Sequence, residues 1–349
     1  MKKAIFNLCG SKSFEKSGIS LFLIFAIAGL SMLFNQAAFA QKSLSEIAEM
    51  NDKQWDKLVK SHKTGLNHIY AVEGLIGAEL FEKENMPDPK KIGVLTFQLW
   101  DESTWKSSSA GGWVYYEKNF ITEEGSNFIS NELLGQMLPV VESKFSEVGI
   151  EVQEPDEYID NEEERTLYNE GPNKIELSGI LKVFSGGLLD RLQGKKDGQG
   201  TVSADGYEFY PITPSILSSD YKAPSTLGLL AEDLGVDALL VVAVRVSIEK
   251  AGKLLVCNGI EMGLYGPVAD DESIDYSGVI GAKTVNIYRG GMMYSTAFFE
   301  VEEVPLGDMD KNTGEITQWY TDGLPTITER MMDDMIYGLE KFKAMDTSK

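Results

Sequence analysis

Apolar positions along the chain fall into distinct periodicities, and each predicts a different element. Residues 234–247 read Leu-Gly-Val-Asp-Ala-Leu-Leu-Val-Val-Ala-Val-Arg-Val-Ser, with ten of the fourteen apolar and no helical period. Such a run predicts a strand buried on both faces, the central strand of an α/β sheet. Residues 224–234 ahead of it predict a short helix, and Gly235 suits a left-handed C-cap. A second apolar run, 90–99, predicts another strand after the Pro87-Asp-Pro89 punctuation.

Helical spacing dominates three other stretches. In 126–149, Phe128, Ile129, Leu133, Leu134, Met137, Leu138, Val141 and Phe145 form one stripe, with Gly149 as the C-cap. Pro139 in its middle predicts a kink, or two helices in place of one. In 324–342, Ile327, Met331, Met332, Met335, Ile336 and Leu339 fall on one face. From Ser43 to about Phe81, Leu44, Ile47, Trp55, Leu58, Val59 and Leu66 recur at helical intervals, with Ser43 or Ser45 as the cap and breaks at Gly65 and Gly74.

Beyond Ser247 the pattern predicts antiparallel β structure. Residues 253–264 form one strand, and 279–288 with 292–301 predict a hairpin across Arg289-Gly-Gly291. Residues 150–152 predict a short strand, 154–170 a solvated acidic helix, 194–200 a solvent loop and 207–224 an irregular connection. The fold class is therefore α/β with mixed α+β character. It has a central mixed sheet around a buried Val-rich strand, flanking helices and a C-terminal antiparallel meander.

The first forty residues have another character. Lys2, Lys3, Lys12 and Lys16 precede the apolar stretch 19–34, and Ala38-Phe39-Ala40 forms an A-x-A cleavage signal ahead of Gln41. This predicts a signal peptide over 1–40, a helical extension over 41–86 and a single α/β domain over 87–349. The expected location is the periplasm or the extracellular medium, with membrane association left open. The net charge of −22 becomes more negative once the basic segment is removed, which sets the chain against nucleic acid and anionic lipid.

Composition also narrows the chemistry. Cys257 is the only cysteine after residue 40, so no intramolecular disulfide is expected, and an apolar strand around it predicts an inert buried thiol. His62 and His68 are the only histidines, too few for an ordinary zinc site. There is no G-x-S-x-G, Walker or dinucleotide motif, so no catalytic residue is assigned. Calcium is the one metal candidate: Asp308-Met-Asp-Lys-Asn-Thr-Gly-Glu315 places oxygen ligands at alternate positions. Yet its glycine is one place late and Trp319 stands where a bidentate Glu belongs, so a hairpin turn with Gly314 at positive φ is preferred. The acidic loop 270–275 is weighed the same way, and no cofactor or metal is assigned.

The remaining feature is aromatic. Between 100 and 120, Trp100, Trp105, Trp113, Tyr115, Tyr116 and Phe120 surround a Ser107-Ser-Ser-Ala-Gly-Gly112 run, expected to be a flexible loop. Trp100, Trp105, Trp113 and Tyr115 are the candidate binding residues, a lip at a strand's C-terminal end. The rival reading packs Trp113 and Tyr115 into the core.

Residues 92–97 (Ile-Gly-Val-Leu-Thr-Phe) and 234–244 (Leu-Gly-Val-Asp-Ala-Leu-Leu-Val-Val-Ala-Val) resemble two blocks of exported α/β domains. These are the domains of the curli-secretion channel lipoprotein, the lipoprotein activator of penicillin-binding proteins and the N-terminal part of the Tol-system β-propeller protein. The resemblance spans about 91–301 with large insertions. It implies a non-enzymatic envelope domain that binds other proteins or assembles into a ring, and it transfers no catalytic residue. The chain departs in lacking a lipobox cysteine after its apolar run, since Cys9 precedes it. The expected function is an exported binding or assembly component of the bacterial cell envelope, with an envelope protein partner or self-assembly. The alternative is a secreted hydrolase or carbohydrate-active protein with an acidic site.

Overall fold

The computed structural model describes residues 42–55, 89–103, 106–110, 113–117, 121–174, 201–214, 223–249, 253–267, 274–275, 286–287, 290–298, 304–310 and 312–343. The expected signal peptide, His62, His68, Trp105 and the 194–200 loop lie outside the described residues.

Strand β6 (Ala238–Glu249) is the centre of the main sheet, as its composition predicts. It lies between β1 (Lys91–Asp101), to which it is parallel, and β7 (Leu254–Pro267), to which it is antiparallel. Beyond β1 comes the parallel strand β4 (Glu151–Gln153), with β5 (Val202–Ser203) pairing further along β1. Beyond β7 come β11 (Val304–Met309) and β12 (Ile316–Trp319), while β10 (Gly290–Phe298) covers the other half of the same β7 edge. The order β12-β11-β7-β6-β1-β4 is a mixed sheet with flanking helices, an α/β fold.

One sheet face is covered by α1 (Leu44–Ala48), α2 (Glu123–Glu147) and, later in the chain, a 20-residue C-terminal helix, Leu324–Lys343. Ile129, Leu133, Met137, Val141 and Phe145 of α2 and Ile327, Met331, Met332, Met335 and Leu339 of the last helix share a cluster with Leu240, Val242 and Val244 of β6. Leu44, Ile47 and Trp55 belong to that same cluster, so the described part of the N-terminal stretch packs into the core. Ser43 caps α1 in a reciprocal box with Glu46: the Glu46 N–H donates to Ser43 Oγ at 3.1 Å and the Ser43 N–H to Glu46 Oε2 at 2.8 Å.

The opposite face is covered by α3 (Pro155–Tyr158), α4 (Glu162–Lys174) and α5 (Ala223–Asp233), which makes the C-terminal helix α6. Gly235, at φ 67°, turns the chain from α5 into β6 as expected. A β-bulge at Leu95 interrupts the β1–β6 register between Val94 and Thr96. There the Tyr158 and Tyr168 hydroxyls donate to the carbonyls of Val94 (3.3 Å) and Leu95 (2.9 Å). Gly93 makes room for this, because a Cβ there would meet Tyr158 Cε1 at 2.9 Å.

Three local expectations are corrected. Of the two outcomes expected at Pro139, the division into two helices does not occur, because α2 runs unbroken for 25 residues. Both Pro139 and Gly135, whose carbonyl loses its i+4 donor, are exposed. The Ser107–Ser109 run is not a loop but part of β2 (Lys106–Ala110), paired with β3 (Trp113–Glu117). Of the expected hairpin across residues 289–291, the described residues pair elsewhere: β10 with β7, and β9 (Asn286–Ile287) with β8 (Ile274–Asp275). Local alternation fixes that a segment is a strand, not which distant strand it joins. The turn between β11 and β12 is as expected, with Gly314 at φ 76° and its N–H donating to Asp310 O at 2.7 Å.

Candidate functional site

Among the described residues, two places set polar groups at an end or an edge of the sheet. The first is the rim at the C-terminal ends of the parallel strands β1 and β6, where α/β sheets commonly place their sites. Arg245, opposite Trp100 in register, donates from Nε to Glu102 Oε1 at 2.6 Å and from Nη1 to Glu261 Oε1 at 3.3 Å. Glu261 is fully buried. Burial opposes the guanidinium charge, but Glu102 and Glu261 outweigh it and raise the Arg245 pKa. Asn258 Nδ2 donates to the other Glu102 oxygen at 2.9 Å, and Ser247 Oγ to Asn258 Oδ1 at 3.2 Å. Arg245 is thus held between two carboxylates of its own chain.

Beside it, Trp100 is buried at 4% exposure, with its Nε1 donating to Gln98 Oε1 at 2.6 Å and its ring 6.0 Å from that of Phe209. Gln98 Nε2 in turn donates to the Tyr210 carbonyl and to Thr96 Oγ1. Trp100 is therefore an interior residue, and the aromatic lip expected from the sequence does not include it. A strand-end tryptophan with a polar partner two residues away looks the same in sequence whether it faces in or out.

Trp113 and Tyr115 lie in β3, opposite Ala110 and Ser108. The β2–β3 pair is a two-stranded sheet separate from the main one. Its base is anchored through Asp101. The outgoing Ser103 N–H donates to Asp101 Oδ1 at 2.9 Å, and the returning Ile121 N–H donates to Asp101 Oδ2 at 2.9 Å. Ser103 Oγ also donates to Asp101 Oδ1 and accepts the Ile248 N–H at 2.8 Å, which ties this junction to β6. Nothing in the sequence pattern marks Asp101 for this role, because the two chain segments it joins are held through backbone N–H groups.

The second place is a groove of about 540 Å³ lined by Glu142, Ser146, Gly149, Ile150, Glu151, Val152 and Glu157. It lies along β4, where the end of α2 and the start of α3 flank the sheet edge. Burial first, and then the negative charges of Glu154 and Glu157, raise the Glu142 carboxyl above its usual value. Glu154 accepts from the Tyr207 hydroxyl at 2.7 Å, and its own N–H donates to Glu157 Oε2 at 2.9 Å. The acidic 154–170 segment, expected to be a solvated helix, supplies two of these charges.

Cys257 is fully buried, and its thiol is pushed up to about 12 by that burial, which suits an inert packing residue. Asp308, one of the calcium candidates, accepts from the Tyr320 hydroxyl at 2.6 Å within the β11–β12 hairpin. Among the described residues no group of three or more His, Cys, Asp or Glu is placed to hold a metal ion, and no helix is long and apolar enough to cross a membrane. Compared with protein-family models, with curated proteins and with solved structures, the chain matches none.

Proposed function

We propose that this chain is an exported, non-enzymatic binding or assembly component of the bacterial cell envelope, and that the β2–β3 ribbon is its contact element. The observation that carries the reading is the clamp at Asp101. One carboxylate holds both the outgoing and the returning backbone of the excursion, so an appendage outside the main sheet has a fixed base. A fixed base limits the entropy lost when the appendage docks. The ribbon sequence Trp113-Val-Tyr-Tyr-Glu117 supplies aromatic residues of the kind enriched at protein interfaces. The basic and apolar pattern of residues 1–40 and the resemblance to exported envelope domains support the location.

The test replaces residues 104–120 with a short Gly/Ser linker in the tagged mature protein. Cross-linking pull-down from the envelope fraction and light-scattering mass are then compared with the parent. Loss of a stoichiometric partner or of a defined oligomer, with the melting temperature kept, is the expected result. Trp113→Ala with Tyr115→Ala should reproduce it. Unchanged capture and mass would sink the assignment of the ribbon as the contact element.

A further inference from the structure

The groove beside β4 is independent of the ribbon and has its own logic. Among the described residues β4 pairs only with β1, so it forms an outer edge of the sheet. The parallel register sets Glu151 opposite Lys91, Val152 opposite Ile92 and Gln153 opposite Gly93, and the Glu151 N–H donates to Lys90 O at 2.8 Å. In a parallel ladder, alternate residues bond to the same neighbour. Glu151 and Gln153 therefore turn their backbone groups toward β1, and Val152 turns its N–H and C=O outward, along the groove. An exposed strand edge with its backbone available is a template for a further strand.

The groove also has a charge preference. Glu142, Glu151 and Glu157 line it, and Glu154 adds to the potential felt at Glu142. An incoming anionic segment would be repelled, whereas a cationic one would relieve the like-charge repulsion already present. The chain as a whole carries a net charge of −22, so a second copy of its acidic surface is a poor occupant.

We propose that the outer edge of β4, together with the groove beside it, takes an extended lysine- or arginine-rich segment of a partner protein as an added strand. Main-chain hydrogen bonds to Val152 give the register, and the carboxylates of Glu142, Glu151 and Glu157 select the charge. The ribbon and this edge are then separate contact points, and either can fail without the other.

The test uses a fluorescein-labelled peptide of alternating Lys and Val and measures anisotropy with the full-length mature protein. Binding at low salt that weakens several-fold near about 0.15 M salt is expected. An alternating Glu/Val peptide should not bind. Val152→Pro removes the outward N–H, trims a side chain that packs against the core, and is tolerated at a sheet edge, so it should weaken binding about tenfold or more with the fold kept. Glu142→Gln with Glu157→Gln should weaken binding several-fold and flatten the salt dependence. Should Val152→Pro fail to fold, a peptide N-methylated on alternate residues gives the same discrimination against the wild-type protein. No binding at low salt overturns the proposal. So does binding that ignores both Val152→Pro and backbone methylation, which would mark charge attraction without strand addition.

Discussion

The two faces of the sheet are held by different physics. Toward α1, α2 and α6 most contacts are aliphatic side chains and methionines, with Trp55, Phe97, Phe145 and Tyr207 among them. These contacts are additive and non-directional, and they tolerate adjustment. Toward α3, α4 and α5 the interior instead contains Tyr158, Tyr168, Tyr210 and Tyr265. Three of those hydroxyls donate to named backbone carbonyls: Tyr158 to Val94, Tyr168 to Leu95 and Tyr210 to Tyr168 at 2.7 Å. At the rim of that face, ion pairs take over from hydroxyls. One face supplies bulk stability, and the other fixes where the bulge in β1 sits and which helices lie over it.

Alkaline pH separates the faces most strongly. Burial raises the pKa of Tyr158, Tyr168 and Tyr210 above their ordinary value of 10.0. A folded-state pKa above the unfolded one contributes stability that is complete below pH 10 and is lost as pH rises toward the folded values. Those three groups, with Tyr207 of the other face as a fourth, remove about 5 kcal/mol per pH unit above pH 10, at roughly 1.4 kcal/mol each. Urea unfolding between pH 9 and 11.5 should show this slope, and Tyr168→Phe should lower it by about one proton's share. A flat profile would mean that the tyrosine face is open to solvent.

Deletions within each face should differ in kind. Phe145→Ala empties part of the aliphatic face and should cost about 4 kcal/mol, with no smaller penalty in a neighbouring double variant. Arg245→Ala removes the guanidinium beside fully buried Glu261 and should cost about 3 kcal/mol. Here, however, Arg245→Met with Glu261→Leu should recover most of the loss, because the penalty arises from the stranded charge. Denaturant titration of the single and double variants measures both. Failure of the pair to recover would show that this ion pair contributes net stability of its own.

The smallest effect lies on the aliphatic side. Pro139 is exposed in the middle of α2 and lacks the N–H that Gly135 would use. Pro139→Ala should raise stability by about 1 kcal/mol, read as a higher melting temperature. A decrease would mean that proline at this position is used in fitting α2 to the sheet.

The same contrast governs what the amino-acid order reveals. The aliphatic face follows from periodicity: α2, α6 and β6 are all visible in the spacing of apolar residues. The tyrosine face is not visible in that way. Tyr158 and Tyr168 occur within an acidic segment that looks solvated, and their partners are backbone carbonyls with no sequence signature. For a similar reason, the pairing of β10 with β7 is decided by a distant strand, and local alternation does not encode the choice. Of the candidate residues, Trp100 illustrates the limit: its aromatic character is plain, but its inward direction depends on Gln98 and Phe209. The acidic groove was legible only as charge, because edge position is a property of the assembled sheet.

The parallel pairing of β1 with β6 also has a temporal consequence. Asp237, just before β6, accepts the Lys90 N–H from 147 residues earlier at 2.8 Å. At ribosomal rates of about 5–20 residues per second, roughly seven to thirty seconds separate synthesis of the two strands. For that interval β1 is an eleven-residue apolar segment without its main neighbour. A nascent chain of this design reaches its native state only late in synthesis or after release, and until then it depends on whatever holds β1 apart from other copies.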